Sequence, residues 1–112
     1  MTAWNTAGAL IMLALGLLGL ARPDLAARFT SLEPVGLVGR SEVRATYGGF
    51  FFALGAAVLA TADPLACRVA GLAWAGAALG RLLSAWLDHS RSPQNLGGVA
   101  FEAAIAALLL VP

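Results

Sequence analysis

The ionisable residues inside the long apolar runs of this sequence include Arg44, Arg81 and Glu102. A charge inside a lipid bilayer costs about 3 kcal/mol on insertion scales unless it finds a partner, so such residues are candidates for function. A carboxylate can release its arginine partner and bind a proton or a cationic solute instead, which is the chemistry that a transport site needs. An arginine can also hold an anionic or carbonyl head group, and an ion pair can simply fix the order of helices.

Four apolar runs must position these residues, over residues 4–21, 42–61, 65–87 and 96–111. Eighteen residues span about 27 Å as an α-helix, which is close to the hydrocarbon thickness of a bilayer. The mean hydropathy is +0.83 and only 12% of residues are charged, whereas about a quarter are charged in soluble domains. We therefore predict an all-α polytopic membrane protein, a four-transmembrane-helix bundle that forms a single domain over residues 1–112.

The one long connector covers residues 22–41 and carries two local signals. Pro23 and Asp24 occupy first-turn positions, which predicts a short interfacial helix between the first and second spans. Residues 34–39 combine proline with two glycines, and we expect extended or turning backbone there. The other two connectors are short, so the spans that they join should be antiparallel neighbours.

The arginines are distributed unevenly between the two sides of the predicted membrane. Positively charged residues favour cytoplasmic connectors. One side carries Arg22, Arg28, Arg40 and Arg91, while the other carries only Arg68. This asymmetry predicts that the first and third connectors are cytoplasmic and that both termini are periplasmic.

Three of the predicted helices carry rows of small or short residues at i, i+4 spacing, which allow close packing in membranes. The rows are Gly76, Gly80, Ser84 and Asp88 in the third helix, Gly49, Ala53 and Ala57 in the second, and Gly98, Glu102 and Ala106 in the fourth. We predict that these rows meet inside one bundle. The alternative is that one row forms the seam of a homodimer.

A buried polar cluster is expected in the cytoplasmic half of the bundle. Arg81 lies seven residues before Asp88 and Glu102 lies six after Leu96, so the two fall at similar depth on antiparallel helices. Each alone would be an unpaired charge in hydrocarbon, and we therefore predict that they contact one another. The full candidate site comprises Glu42, Arg44, Tyr47, Arg81, Ser84, Asp88 and Glu102.

The cluster allows more than one interpretation. We predict one cavity lined by Arg44, Tyr47, Arg81 and Glu102, in which two arginines against one deep glutamate favour an anionic head group, a carbonyl or a water chain over a cation. Alternatively the ion pair only sets helix order. Glu42 and Arg44 can also extend to the head groups and need no partner.

Several classes of chemistry lack the residues that they require. Cys67 is the one cysteine and His89 the one histidine, so neither a metal site nor a disulfide is predicted, and we expect no cofactor. No catalytic residue is predicted, which favours a non-enzymatic role while leaving an enzyme open. A net charge of +1 without a basic stripe argues against nucleic acid.

A stretch at the start of the second run carries a family resemblance. Residues 42–49 read Glu-Val-Arg-Ala-Thr-Tyr-Gly-Gly, and Gly80, Arg81, Ser84, Asp88 and Glu102 follow. This pattern resembles a bacterial family of small four-helix membrane proteins described only as a domain of unknown function, in a DoxX-like grouping. The resemblance implies an inner-membrane bundle whose motif residues are those of the polar cluster. It implies no activity.

Three functions fit these observations. The first is the binding or transport of a small solute or ion, with Glu102 as the ionisable switch. The second is an accessory or structural subunit of a larger membrane complex, and the third is a membrane-embedded binder or enzyme that acts on a lipid-like molecule. The expected partners are the lipid bilayer and either a second copy or a larger complex, and the ligand is unknown.

Overall fold

A computed structural model describes residues 1–112, and every regular element in it is a helix. The elements are α1 (Ala3–Ala21), α2 (Pro23–Phe29), α3 (Gly36–Val43), a π-helical segment (Arg44–Phe50), α4 (Phe51–Thr61), α5 (Pro64–Leu87) and α6 (Pro93–Leu110). Since α3, the π-helical segment and α4 run on without a break, Gly36–Thr61 forms one long helix. The all-α class and the short helix between the first and second spans are confirmed.

Four helices are long and apolar enough to cross a membrane, namely Ala3–Ala21, Gly36–Thr61, Pro64–Leu87 and Pro93–Leu110. In the most apolar 18-residue stretch of each helix, at most 33% is buried inside the protein. Large apolar side chains such as Phe50, Leu79 and Trp86 are 61%, 65% and 70% exposed. Apolar surface of this extent is rare on soluble monomers and suits a surface that faces lipid.

The second long helix begins at Gly36, six residues before the predicted start at residue 42. The expectation of extended or turning backbone is therefore wrong for residues 36–39 and holds for Val35, which is extended with ψ 108°. Gly36 has a φ of +65°, a value that only glycine adopts without strain, so the turn and the helix start coincide. Arg40 and Asp24 form an exposed ion pair at 3.3 Å between α3 and α2.

Contacts divide the chain into two compact units, each described by itself. We call residues Met1–Gly8 and Ala62–Pro112 the hairpin unit, and residues Ala9–Thr61 the π-helix unit. The hairpin unit contains the start of α1 together with α5 and α6, which are antiparallel because only residues 88–92 join them. The π-helix unit contains the rest of α1 and the helices from α2 to α4.

Asn5 fixes the end of α6 within the hairpin unit. This residue is only 6% exposed, and its Nδ2 group donates to the carbonyls of Leu108, Leu109 and Val111 at 2.9, 3.1 and 2.9 Å. The last carbonyls of a helix have no partner within the helix, and burying them unpaired is unfavourable. Asn5 thus serves as a C-cap supplied by another helix.

Glycines set the closest approach inside the π-helix unit. A Cβ on Gly19 would lie 2.2 Å from the carbonyl oxygen of Tyr47, and one on Gly16 would lie 2.2 Å from the amide nitrogen of Phe52. On the facing helix, Gly48 and Gly55 are buried. The two backbones can come this close only because these positions lack a side chain.

Two of the three predicted rows are placed differently from the prediction. The packed glycines of the second long helix are Gly48 and Gly55, while Ala53 and Ala57 of the predicted row are exposed. Gly48 and Gly55 are seven residues apart, about two turns of α-helix, whereas the predicted row starts one residue later and so lies about 100° around the helix. The prediction of the packed face is therefore wrong here.

The row on α5 is also not interior. Gly76 and Gly80 are exposed, and a Cβ at either position would meet no atom within 4 Å. The row on α6 is confirmed as inward-facing, because Glu102 and Ala106 are buried and Gly98 is half-buried.

Candidate functional site

The predicted contact between Arg81 on α5 and Glu102 on α6 is confirmed. Nε of Arg81 donates to Oε1 of Glu102 at 2.6 Å, which is a short charge-assisted hydrogen bond. The two residues belong to the same antiparallel pair of helices within the hairpin unit. Each therefore supplies the counter-charge that the other needs in an apolar span.

The direction of helical side chains explains why this pair can form. Arg81 lies six residues before the end of α5 at Leu87, while Glu102 lies nine residues after the start of α6 at Pro93. The difference of three residues amounts to about 4.5 Å along the helix axis. Helical side chains lean toward the N-terminus of their own helix. On antiparallel helices the two side chains consequently lean toward one another and close that gap.

Burial is uneven across the ion pair. The Glu102 side chain is 11% exposed, and the Arg81 side chain is 32% exposed. Oε2 of Glu102 is fully buried and has no hydrogen-bond partner in the protein. A buried acceptor without a donor costs about 1–3 kcal/mol, and more when the group is charged. The carboxylate thus has one satisfied oxygen and one that is available to a donor.

Asn95 is a member of the site that the sequence did not reveal. Its Oδ1 accepts from Nη1 of Arg81 at 3.2 Å, and its Nδ2 donates to the carbonyl of Ser90 at 2.8 Å. Asn95 therefore ties the guanidinium to the connector between α5 and α6. Its spacing from Gly98 and Glu102, three and seven residues before them, places it on the same helix face and was the available signal.

Gly98 provides space for the guanidinium. A Cβ at this position would lie 3.1 Å from both Cζ and Nε of Arg81. A side chain larger than alanine at position 98 would therefore overlap the arginine where it reaches the carboxylate. Gly98, a member of the predicted row on the fourth helix, thus leaves the space that the guanidinium occupies.

Ser84 and Asp88 form a separate pair in the hairpin unit. Oγ of Ser84 donates to Oδ2 of Asp88 at 2.7 Å, and Asp88 is exposed at the end of α5. The same helix end is capped by Arg91, whose Nε donates to the carbonyl of Ala85 at 2.9 Å. The sequence pattern grouped Ser84 and Asp88 with Arg81, whereas in the structure their side chains bond to each other.

The remaining predicted residues, Glu42, Arg44 and Tyr47, lie in the π-helix unit. Glu42 and Arg44 are exposed, and Nη1 of Arg44 donates to the carbonyl of Leu20 at 3.1 Å. That carbonyl is in the last turn of α1, where a cation is favourable. The arginine thus caps a helix rather than standing unpaired. The single cavity that joins both groups of residues stays a prediction.

Tyr47 packs inside the π-helix unit. It lies against the buried cluster of Ala26, Ala27 and Val43. Its ring meets that of Phe51 edge to face, with centroids 5.8 Å apart and an interplanar angle of 83°. Such contacts are typical of packed aromatic pairs. Tyr47 therefore anchors the π-helical segment against α2 and α3.

A family comparison covers nearly the whole chain. The family described as Domain of unknown function (DUF4345) matches residues 2–112. This chain belongs to that family. No curated protein and no solved structure shows significant similarity to it. The family description carries no activity, so the chemistry of this DUF4345 chain must be argued from its residues.

The site has a limited chemical repertoire. No group of three or more His, Cys, Asp and Glu side chains is gathered anywhere in the DUF4345 chain, and the one side chain that bonds the carboxylate of Glu102 is Arg81. Its free oxygen can accept a hydrogen bond or a proton, and Arg81 supplies the opposite charge at 2.6 Å from the other oxygen. The arrangement suits reversible binding at Glu102 better than bond cleavage, which would need an activated nucleophile.

Proposed function

We propose that this DUF4345 protein is a small multi-pass membrane protein that binds or transports a small solute or ion at the Arg81–Glu102 pair. The observation that carries the proposal is the buried Oε2 of Glu102, which has no donor. Ionisable residues within membrane spans commonly mark the paths of substrates and ions. The exposed third of Arg81 gives the site a side that is not sealed by protein.

The geometry supports a binding role over a purely structural one. An arginine that only fixes helix order can satisfy both oxygens of a carboxylate with two parallel N–H bonds. Here Arg81 gives Nε to Glu102 and Nη1 to Asn95. Arg81 thus bonds one oxygen of the carboxylate, and the buried Oε2 is left without a donor from the protein.

Flux measurements in liposomes test this proposal. Vesicles carrying the wild-type protein, Glu102→Gln or Glu33→Gln are compared for entry of protons, sodium ions and glycerol, alongside the Tm of each protein with added solute. Glu33 is exposed and serves as the matched control. We expect the wild type and Glu33→Gln to show a flux, or a Tm that changes with added solute. Glu102→Gln should show neither. If no flux and no Tm shift depends on Glu102, the proposal is wrong.

We also propose where the protein resides. The arginine asymmetry between connectors supports an orientation with both termini in the periplasm. The resemblance of residues 42–49 supports a bacterial inner membrane and a DoxX-like grouping. Lipid is then the partner of the exposed apolar faces, and nucleic acid is not expected.

A second candidate function is an accessory subunit, either in a homo-oligomer or in a larger membrane complex. The observation that favours it is the exposed row with Gly76 and Gly80, which leaves room for the backbone of another helix. Copies with two different tags, expressed together, should co-purify if the row joins like chains, and Gly80→Leu should abolish this. If Gly80→Leu does not weaken co-purification, the row with Gly76 and Gly80 is not the contact between copies.

A further inference from the structure

We infer that the ligand of the Arg81–Glu102 site presents an uncharged hydrogen-bond donor, such as an alcohol hydroxyl, to Oε2 of Glu102. This inference rests on the proposed function and specifies the class of its ligand. It replaces the expectation of an anionic head group or a carbonyl, which was drawn from counting two arginines against one glutamate.

First, one hydrogen-bond acceptor at the Arg81–Glu102 site has no donor. Within the hairpin unit, Nε of Arg81 is bound to Oε1 of Glu102, and Nη1 is bound to Oδ1 of Asn95. The buried atom that lacks a partner is Oε2, an acceptor. Carboxylate oxygens accept but do not donate, so the complementary group must carry an N–H or O–H. A carbonyl, an ether or a carboxylate would place lone pairs against lone pairs.

The second step concerns charge. Arg81 and Glu102 already form a neutral pair, and an added ion would leave a net charge within an apolar span. A metal ion would also need several oxygen, nitrogen or sulfur ligands, and no group of three ionisable ligands exists in the chain. An uncharged donor fills the vacant acceptor while leaving the site neutral. This step separates an alcohol from an ammonium ion, which could satisfy the same atom.

The third step concerns access. Oε2 is covered in this structure, whereas Arg81 is 32% exposed. Gly98 places no side chain beside the guanidinium. Binding at Oε2 therefore requires side chains at the site to shift. A small ligand meets this requirement more easily than a bulky one.

Fluorine NMR with four small probes of the same skeleton tests the inference. The probes are trifluoropropanol, its methyl ether, trifluoropropanoate and trifluoropropylammonium, each added at neutral pH to the protein in micelles. Empty micelles give the partition of each probe without protein. We expect wild-type protein to bind the alcohol about tenfold more tightly than the ether, the size typical of one hydrogen bond to a charged group. The two ionic probes should bind more weakly than the alcohol.

The variant Glu102→Gln provides the second arm. Its carbonyl oxygen stays toward Arg81, so its amide nitrogen, a donor, takes the place of Oε2. The preference should then reverse toward the ether. Because the wild-type ratio of alcohol to ether is informative on its own, the test stands even if the variant fails to fold.

The outcomes separate the inference from the function on which it rests. Tighter Glu102-dependent binding of the carboxylate or the ammonium probe would overturn the inference about ligand class and leave the proposed function standing. Equal binding of alcohol and ether would do the same. Absence of Glu102-dependent binding for all four probes would overturn the inference, and the absence of flux as well would overturn the proposed function too.

Discussion

Nη1 of Arg81 donates to Oδ1 of Asn95 at 3.2 Å, although the carboxylate of Glu102 lies close enough to take Nε at 2.6 Å. The guanidinium therefore divides its donors between a neutral and a charged acceptor. The other carboxylate oxygen, Oε2, is buried and has no donor in the protein. A second donor to Oε2 would stabilise the pair further, and in a parallel pair with Nε that donor would be Nη2.

The first prediction concerns the energy of the ion pair. Glu102→Ala should reduce the free energy of unfolding by about 3 kcal/mol, the lower end of the range for breaking a buried pair, because Arg81 is one third exposed. The double variant with Arg81→Leu should recover part of this loss, since no unpaired charge then remains. Unfolding by titration with a denaturing detergent provides the four free energies.

The difference between the double variant and the sum of the two single variants measures the coupling energy between Arg81 and Glu102. If the two single effects simply add, Arg81 and Glu102 do not interact energetically. The variant Glu42→Ala is the control, because Glu42 is exposed and should change the free energy by less than about 0.5 kcal/mol.

The second prediction concerns the cap that Asn5 supplies. Asn5→Leu removes the donor from the carbonyls of Leu108, Leu109 and Val111, and we expect a loss of about 1–3 kcal/mol. Hydrogen exchange should rise selectively in the last turn of α6. Thr6→Ala on the same helix removes one bond to the carbonyl of Thr2 and is the milder control. Equal effects of both substitutions would contradict the capping role.

The Arg81–Glu102 contact could be predicted from the sequence because depth along an uninterrupted α-helix is proportional to residue number. Two antiparallel spans joined by a short turn need only this arithmetic. Asn95 escaped the same reasoning because the start of α6 was placed at residue 96 rather than at Pro93. Ser92, whose side chain accepts from the amide of Asn95 at 3.2 Å, followed by proline, was the missed start signal.

The change of register within the second long helix could not be predicted from the sequence. The π-helical segment includes an extra residue between Arg44 and Phe50, and no periodicity in the sequence marks it. The adjacent Gly48 and Gly49 are compatible with either register. The segment is settled by packing, since Gly48 fits against the backbone of Leu20, where a Cβ would lie 2.8 Å from its nitrogen. The local sequence is compatible with both α-helical and π-helical hydrogen bonding, and the contact with Leu20 favours the π-helical form.

The third prediction concerns orientation. In a Cys67→Ala background, Thr2→Cys should react with an impermeant maleimide in intact cells, and Thr30→Cys should react only after lysis. Cys67 is buried and is replaced to remove background labelling. The reason is the excess of arginine in the connector that contains Thr30. Labelling of position 30 from outside would contradict the proposed orientation.

The fourth prediction concerns the extra residue of the π-helical segment. Deleting Gly49 should let the segment close as an α-helix while Gly55 keeps its place against Leu13. We expect a cost of less than about 1 kcal/mol in the free energy of unfolding. Deleting the exposed Ala14 from α1 is the control, because α1 has no extra residue and its packed glycines would rotate away. Equal losses from the two deletions would show that the extra residue is not dispensable.

The last prediction compares two glycines that the sequence cannot tell apart. Gly19 and Gly80 both lie inside apolar helices, yet a Cβ on Gly19 would lie 2.2 Å from the Tyr47 carbonyl oxygen and one on Gly80 would meet nothing within 4 Å. Gly19→Ala should therefore cost about 3 kcal/mol or more, because the obstacle is backbone and cannot rotate aside. Gly80→Ala should be neutral or stabilising by up to about 1 kcal/mol, since alanine is the better helix former. Detergent-induced unfolding of both variants measures the difference. A cost at Gly80 as large as that at Gly19 would mean that the exposed row on α5 is occupied by another helix in the membrane.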